Sequence, residues 1–305
     1  MFSKHSDEEI ERYFTVGTPE TTPSLQEVDT RWPRPWLFFR AFVISVIVYL
    51  CFVQAWNQYG NVNLVPGLII VGSFAVPFAT LVFFFEMNAA RNVSLYQVIK
   101  LVMLGGVLSL MFSLVLFQVT DALRLSWLGA SVAALAEEPG KLLALMLVVN
   151  KRRYPHLLNG LLFGAAIGTG FAAFESAGYA LRYALDGYSM QDIILSRGLM
   201  APFGHIVWTA MSAAALWRVK GDADFQIGML NDARFKRVFL VAVALHMLWN
   251  ADIELPFQAK QLLLGAIAWV IVFGLIQEGL KQLRSYKTEH SALPPVVLAA
   301  DQGQL

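Results

Sequence analysis

Long apolar stretches alternate with short polar segments along most of this chain. A helix crosses the core of a bilayer with about 20 predominantly apolar residues. Stretches of that kind predict eight membrane-spanning helices, at residues 36–57, 64–86, 98–118, 125–149, 158–183, 193–217, 236–255 and 261–280. The predicted fold is an all-α membrane bundle over residues 36–284, with polar tails at 1–35 and 285–305.

The charges between the spans predict the orientation of the bundle. Cytoplasmic loops of membrane proteins carry an excess of lysine and arginine. With the N-terminus in the cytoplasm, fourteen such residues lie in internal segments and only Arg124, Arg182 and Lys260 in external ones. Both chain ends are therefore predicted to be cytoplasmic, and a count of seven or nine spans would break this alternation.

The composition agrees with a chain that faces lipid. Of its 305 residues, 57% are hydrophobic and 15% are charged, whereas a soluble domain has about 25% charged residues. The net charge of +1 argues against nucleic acid as a partner. We find no internal repeat of the kind that builds many transporters.

Ionisable side chains interrupt four successive predicted spans. A charge near the middle of a bilayer costs about 3 kcal/mol, so it faces protein or water and marks a functional site by default. The residues concerned are Glu137, Glu138 and Lys141 in the fourth span, Glu175 in the fifth, Arg197 and His205 in the sixth, and His246 in the seventh, with the polar Asn250 one turn beyond it.

Spacing and depth relate these residues to one another. Lys141 follows the glutamate pair Glu137-Glu138 by four and three positions, so either carboxylate can share its face of a helix. Pro139 and Gly140 lie between them and are expected to kink or open the helix. At about 1.5 Å per residue, three carboxylates and two imidazoles reach one depth zone. The sequence predicts a cluster that is open to the outer face.

Several of these residues also have simpler interpretations. Glu137 and Lys141 could form a buried ion pair that only locks the bundle, although this leaves the second glutamate without a partner. A single intramembrane histidine is often a contact between helices. Arg182 and Arg197, near the outer boundary, are predicted to extend toward water. We predict no function for Glu86, because it lies near the inner end of its span, where water is within reach.

The ordered motifs resemble those of a known family. Glu137-Glu138-x-x-Lys141, Phe171-x-x-x-Glu175, the isolated His205 and His246-x-x-Trp249-Asn250 are similar to the motif set of the PrsW intramembrane proteases. These proteases are related to the CAAX prenyl endopeptidases and to a γ-secretase scaffold subunit. The CAAX group has its basic residue one position later and a histidine in place of Glu175, and both differences fit the PrsW branch.

The resemblance implies peptide hydrolysis within the membrane. It makes Glu137, the first glutamate of the pair, the expected general base that activates water. Glu138 and Lys141 would then orient Glu137 or hold the helix. His246 and Asn250, one turn apart, are expected to donate hydrogen bonds to the developing oxyanion.

Two versions of this mechanism stay open at the level of sequence. Glu175, His205 and His246 could bind Zn²⁺ with an open position for water, and Glu137 or Glu138 would be the base. Alternatively, a glutamate acts without a metal, because the candidate ligands come from separate spans and form no compact His-Glu-x-x-His helix.

The resemblance also predicts the setting of the reaction. The expected partners are the lipid bilayer and single-span membrane proteins, for example proteins like anti-sigma factors, cut near the outer face. The expected location is the cytoplasmic membrane of a bacterium. Two other classes of function bury similar residues, a proton- or cation-coupled transporter and a non-catalytic scaffold, and cleavage of a membrane substrate would distinguish them from a protease.

Overall fold

The structure, a computed structural model, describes residues 6–149 and 153–292. Lys151, Arg152 and the distal parts of both predicted tails lie outside these residues. The described chain is helical and has no strand. Its α-helices are α1 (Asp7–Phe14), α2 (Leu37–Tyr59), α3 (Val65–Met87), α4 (Leu95–Lys100), α5 (Gly106–Ala122), α6 (Ala133–Val148), α7 (Leu157–Leu185), α8 (Met190–Met200), α9 (His205–Lys220), α10 (Ala233–Asn250) and α11 (Ala259–Ala292).

Within the described residues, six helical segments are long and apolar enough to cross a membrane. They are Leu37–Tyr59, Val62–Met87, Leu95–Ala122, Leu157–Leu185, Met190–Lys220 and Pro256–Glu289. The predicted spans 125–149 and 236–255 correspond to α6 and α10, which have 16 and 18 residues and carry charged side chains. The all-helical membrane bundle is confirmed, and the count of eight crossings stays a prediction.

Helix α7 lies at the centre of the bundle and packs closely against α9. Its most apolar window is 94% buried. Gly160, Gly164 and Gly168, spaced by four residues, face α9, and a Cβ atom at Gly168 would lie 2.6 Å from the carbonyl oxygen of His205. Small residues at this spacing let the backbones of two membrane helices touch. The stripe therefore fixes the start of α9 against α7.

Helix α2 lies at the edge of the bundle, where only 6% of its window is buried. Its N-terminal N–H groups have no partner within the helix. The carboxylate of Glu86 on α3 accepts hydrogen bonds from the N–H groups of Trp36, Leu37 and Phe38, at 2.8, 2.9 and 2.9 Å. Glu86, which the sequence left without a role, therefore joins α2 to α3.

The two ends of the described chain meet at one end of the bundle. Lys287 Nζ donates to the carbonyl oxygen of Val28 at 3.0 Å, and Arg284 Nη2 donates to that of Thr30 at 2.9 Å. Both basic residues belong to α11, which continues beyond residue 284, the predicted end of the membrane domain, to Ala292. We call this side of the molecule the terminal end.

Candidate functional site

A cavity of about 850 Å³ is lined by the second half of α7 and the first residues of α11, so it lies away from the terminal end, where α7 begins beside the last turns of α11. Helices from α5 to α11 contribute to its wall, and Glu137, Glu175, His205 and His246 all line it. A second opening of about 680 Å³ lies between the segments 128–130 and 249–261. The two spaces share the residues Ala130, Trp249, Asn250, Gln258 and Gln261. The polar cluster is thus reached from one end of the bundle.

Helix α6 directs the two adjacent glutamates differently. Glu138 is 2% exposed, and its Oε1 accepts from Lys141 Nζ at 2.5 Å and from His246 Nδ1 at 2.9 Å. Glu137 lines the cavity, and its buried Oε2 has no hydrogen-bond partner in the described part of the chain. We call Glu138, Lys141 and His246 the buried triad.

The glutamate of α7 makes a second arrangement of the same kind. Glu175 Oε2 lies 3.1 Å from His205 Nε2 and also binds Arg197 of α8. Arg197 Nε donates to Ser176 Oγ at 3.0 Å, and its guanidinium lies 4.3 Å from the ring centre of Tyr179. We call Glu175, Arg197 and His205 the cavity triad.

The hydrogen bonds define which nitrogen of each histidine carries the proton. Lys141 has only donors, so His205 Nδ1, at 2.9 Å from its Nζ, accepts. The Nε2–H of His205 then donates to Glu175. In His246, Nδ1 faces the carboxylate of Glu138 and is the donor, which leaves Nε2 as an acceptor. Each triad thus orients one imidazole through a carboxylate.

The acceptor nitrogens of both histidines face Glu137, and that of His205 also accepts from Lys141 Nζ. Glu137 Oε2 lies 3.9 Å from His205 Nδ1 and 3.8 Å from His246 Nε2, and Glu137, His205 and His246 offer ligand atoms that all lie within 4.8 Å of one another. Lone pairs that face each other in a buried place repel unless a cation lies among them. Two imidazoles and one carboxylate form a donor set that suits Zn²⁺. These residues therefore fit a metal ion once Lys141 moves away from His205 Nδ1, whose single lone pair cannot bind both.

This grouping differs from the ligand set predicted by sequence. That set was Glu175, His205 and His246, whereas in the structure Glu137 takes the place of Glu175. The reason is that Glu175 lies on the Nε2 side of His205, away from the converging lone pairs, and is bound by Arg197. A carboxylate on the outer nitrogen of a ligand histidine is the usual arrangement around a metal.

Two other predicted features have different surroundings from those expected. Asn250 lines the cavity, but its side-chain amide donates to the carbonyl oxygen of Ala130 at 3.3 Å. Arg197, predicted to extend toward water, instead binds Glu175 and Ser176 across helices. The sequence could not predict this contact, because Arg197 lies on α8 and its partners lie on α7, more than twenty positions earlier.

Helix α6 does not open at Pro139. It continues without interruption from Ala133 to Val148, contrary to the expected opening. Helix α5 packs directly on the next residue, Gly140, where a Cβ atom would lie 2.6 Å from Ser113 Oγ. The break falls in the sixth predicted span instead, where a 3₁₀ turn at Ala201–Phe203 ends α8 before His205 begins α9.

Aromatic rings enclose the polar cluster. The ring of Trp208 stacks on His246 with 4.5 Å between ring centres, and Lys141 Nζ lies 4.4 Å from the ring centre of Phe171. His205 also contacts Phe171, with 4.9 Å between the ring centres. The rings limit the movement of the imidazoles and keep water away from the buried triad.

A helical membrane bundle whose interior holds carboxylates and imidazoles around a cavity fits the class of intramembrane hydrolases. The family model described as "PrsW family intramembrane metalloprotease" matches residues 33–276. This match covers well over half of the chain, and the chain belongs to that family. No curated protein and no solved structure matches it. The chain is a multi-pass membrane protein, and its family supports a protease over the transporter and scaffold alternatives.

Proposed function

We propose that this protein is an endopeptidase that hydrolyses membrane-anchored proteins with a water molecule activated by Glu137. One observation carries the choice of this residue. Each glutamate of α6 has a buried Oε2 without a hydrogen-bond partner in the described residues, but of the two only Glu137 lines the cavity. Glu138 is already engaged by Lys141 and His246.

The proposed chemistry uses Glu137 twice. Its carboxylate accepts a proton from water as the oxygen of that water attacks the peptide carbonyl carbon, and it returns the proton to the leaving amine when the C–N bond breaks. Were a metal ion present, Glu137 Oε2, His205 and His246 would hold it, and it would polarise the carbonyl and acidify the water. The proton would then go to the other carboxylate oxygen of Glu137, Oε1. Glu138 and Glu175 orient the two imidazoles throughout the reaction.

The same arrangement supports a location for cleavage. The cavity lies away from the terminal end, and the excess of Lys and Arg in alternate connections predicts that the terminal end is cytoplasmic. Residues 28–30 and 284–287 meet at this end, so the number of crossings between them is even, a condition that both six and eight satisfy. We therefore propose cleavage near the outer face of a bacterial cytoplasmic membrane, in single-span substrates such as proteins like anti-sigma factors.

The direct test is cleavage of single-span membrane proteins by purified protein in liposomes. Glu137→Gln keeps the size of the side chain and removes the base, so we expect the rate to fall by about 10²–10⁴-fold. The matched control is Glu254→Gln at the rim of the second opening, for which we expect the wild-type rate. A Glu137→Gln protein as fast as the wild type would exclude Glu137 as the base.

The metal is tested separately. We expect purified active protein to contain Zn²⁺, to lose activity on chelation and to regain it when Zn²⁺ is restored. His246→Gln should lower the metal content, because it removes one of the three donors. Full activity in metal-free protein would disprove the metal site and leave the role of Glu137 to be judged by the Glu137→Gln variant.

A further inference from the structure

We infer that Arg197 is a positioning residue that holds Glu175 against His205. The inference rests on the proposed function, since it concerns the histidine that faces Glu137. Arg197 lies outside the four motifs that carry the family resemblance. Its role follows from its contacts across α7 and α8.

Arg197 is held at three points on α7. It binds the carboxylate of Glu175, donates to Ser176 Oγ at 3.0 Å and covers the ring of Tyr179 at 4.3 Å from the ring centre. A guanidinium presents its donors in a rigid planar fork, so contacts to two neighbouring side chains fix its orientation. A side chain that only extends toward water needs none of these partners.

The fixed guanidinium in turn limits the positions that Glu175 can take. The side chain of Glu175 is 19% exposed, so water in the cavity competes with His205 for its carboxylate. Without a second partner it could rotate away from His205 Nε2, to which it lies at 3.1 Å. With Arg197 bound, the carboxylate stays where it accepts from the imidazole and keeps Nδ1 directed at Lys141 and Glu137.

His205 needs such support more than His246 does. It is the first residue of α9, and Gly204 before it has a non-helical backbone (φ −116°, ψ −124°). His246 lies within α10 and is 2% exposed. The cation of the buried triad, Lys141, comes from the same helix as its glutamate, whereas the cavity triad takes its cation from another helix, α8.

The chain offers a matched control in Arg182. Its guanidinium also lies over the ring of Tyr179, at 5.0 Å from the ring centre. It is exposed on α7, about two turns beyond Glu175. Arg182→Gln therefore removes a positive charge from the same region without removing the contact to Glu175.

The first test compares cleavage kinetics in full-length protein. We expect Arg197→Gln to lower kcat by about 10–100-fold, with KM unchanged and with the melting temperature close to that of the wild type. Arg197→Lys should recover part of the loss, and Arg182→Gln should match the wild type. If Arg197 acts through Glu175, the double variant Glu175→Gln/Arg197→Gln is no slower than Glu175→Gln alone.

The second test needs no activity. In protein labelled with ¹⁵N-histidine, the His205 resonances are those missing in His205→Gln. We expect Arg197→Gln to shift them and Arg182→Gln to leave them in place. If the wild-type protein cleaves no substrate, the proposed function is wrong. The shifts of the His205 resonances then still show whether Arg197 positions this imidazole. Arg197→Gln with wild-type kcat and wild-type His205 resonances would overturn the inference, and so would losses that multiply in the double variant.

Discussion

The buried triad and the cavity triad contain the same three kinds of group in different surroundings. In both, a carboxylate bridges a cation and an imidazole. Side chains of the buried triad are at most 2% exposed, whereas those of the cavity triad are 16–25% exposed. A charged group that water does not reach is stabilised only by its protein partners. The buried triad should therefore govern stability, and the cavity triad should govern the geometry of the reaction.

Removal of the buried cation should have the largest effect on stability. Lys141→Met leaves the carboxylate of Glu138 charged and without its ion-pair partner in a dry site, which we expect to cost about 3–5 kcal/mol of unfolding free energy. Denaturant titration in detergent measures the loss. The double variant Lys141→Met/Glu138→Gln should recover most of it, because no lone charge is left. Wild-type stability of Lys141→Met would remove the basis of the comparison.

Removal of the carboxylate charge from the cavity triad should separate activity from stability. Glu175→Gln keeps an amide oxygen that can accept from His205 Nε2, and water can solvate the guanidinium of Arg197, which loses its ion-pair partner. We expect the rate of cleavage to fall by about 10–100-fold, and the unfolding free energy to fall by about 1–2 kcal/mol. Glu138→Gln measured alongside should be the less stable of the two. The reverse order would show that exposure does not distinguish the triads.

An ion pair outside both triads provides the lower end of the scale. Arg218 Nη2 lies 2.5 Å from Glu278 Oε2, and these side chains are 23% and 44% exposed. We expect Glu278→Gln to lower the unfolding free energy by about 0–1 kcal/mol and to leave cleavage unchanged. A loss as large as that of Lys141→Met would mean that this pair is part of the core of the bundle.

Much of the architecture could be predicted from the sequence because lipid imposes a simple rule on it. Every backbone group in a bilayer must be satisfied within a helix or a closed barrel, so apolar length alone locates most spans. Helices α6 and α10 are harder, since the polar residues that make the site also weaken the apolar signal. The contact between Glu86 and the start of α2 joins residues about fifty positions apart and leaves no local pattern.

The family resemblance named the residues that the structure brings together and made Glu137 the expected base, but the contacts among these residues could not be predicted from the sequence. Glu137 and Glu138 are adjacent, so their side chains diverge by about 100° around the helix, as 3.6 residues per turn requires. Which one faces the cavity depends on the rotation of α6 against α5 and α10. The same limit applies to Glu175, whose distance from Glu137 is set by the packing of α7.

The glycine stripe of α7 makes the site sensitive to changes far from any reactive group. At Gly168 a single methyl group would collide with the backbone of His205, whereas at Gly178 it would meet nothing within 4 Å. Gly168→Ala would displace the whole start of α9, and with it an imidazole, without altering a single ionisable atom. The alignment of His205 with Glu137 thus depends on the absence of a side chain at Gly168. A substitution that adds only a methyl group there is enough to disrupt the site.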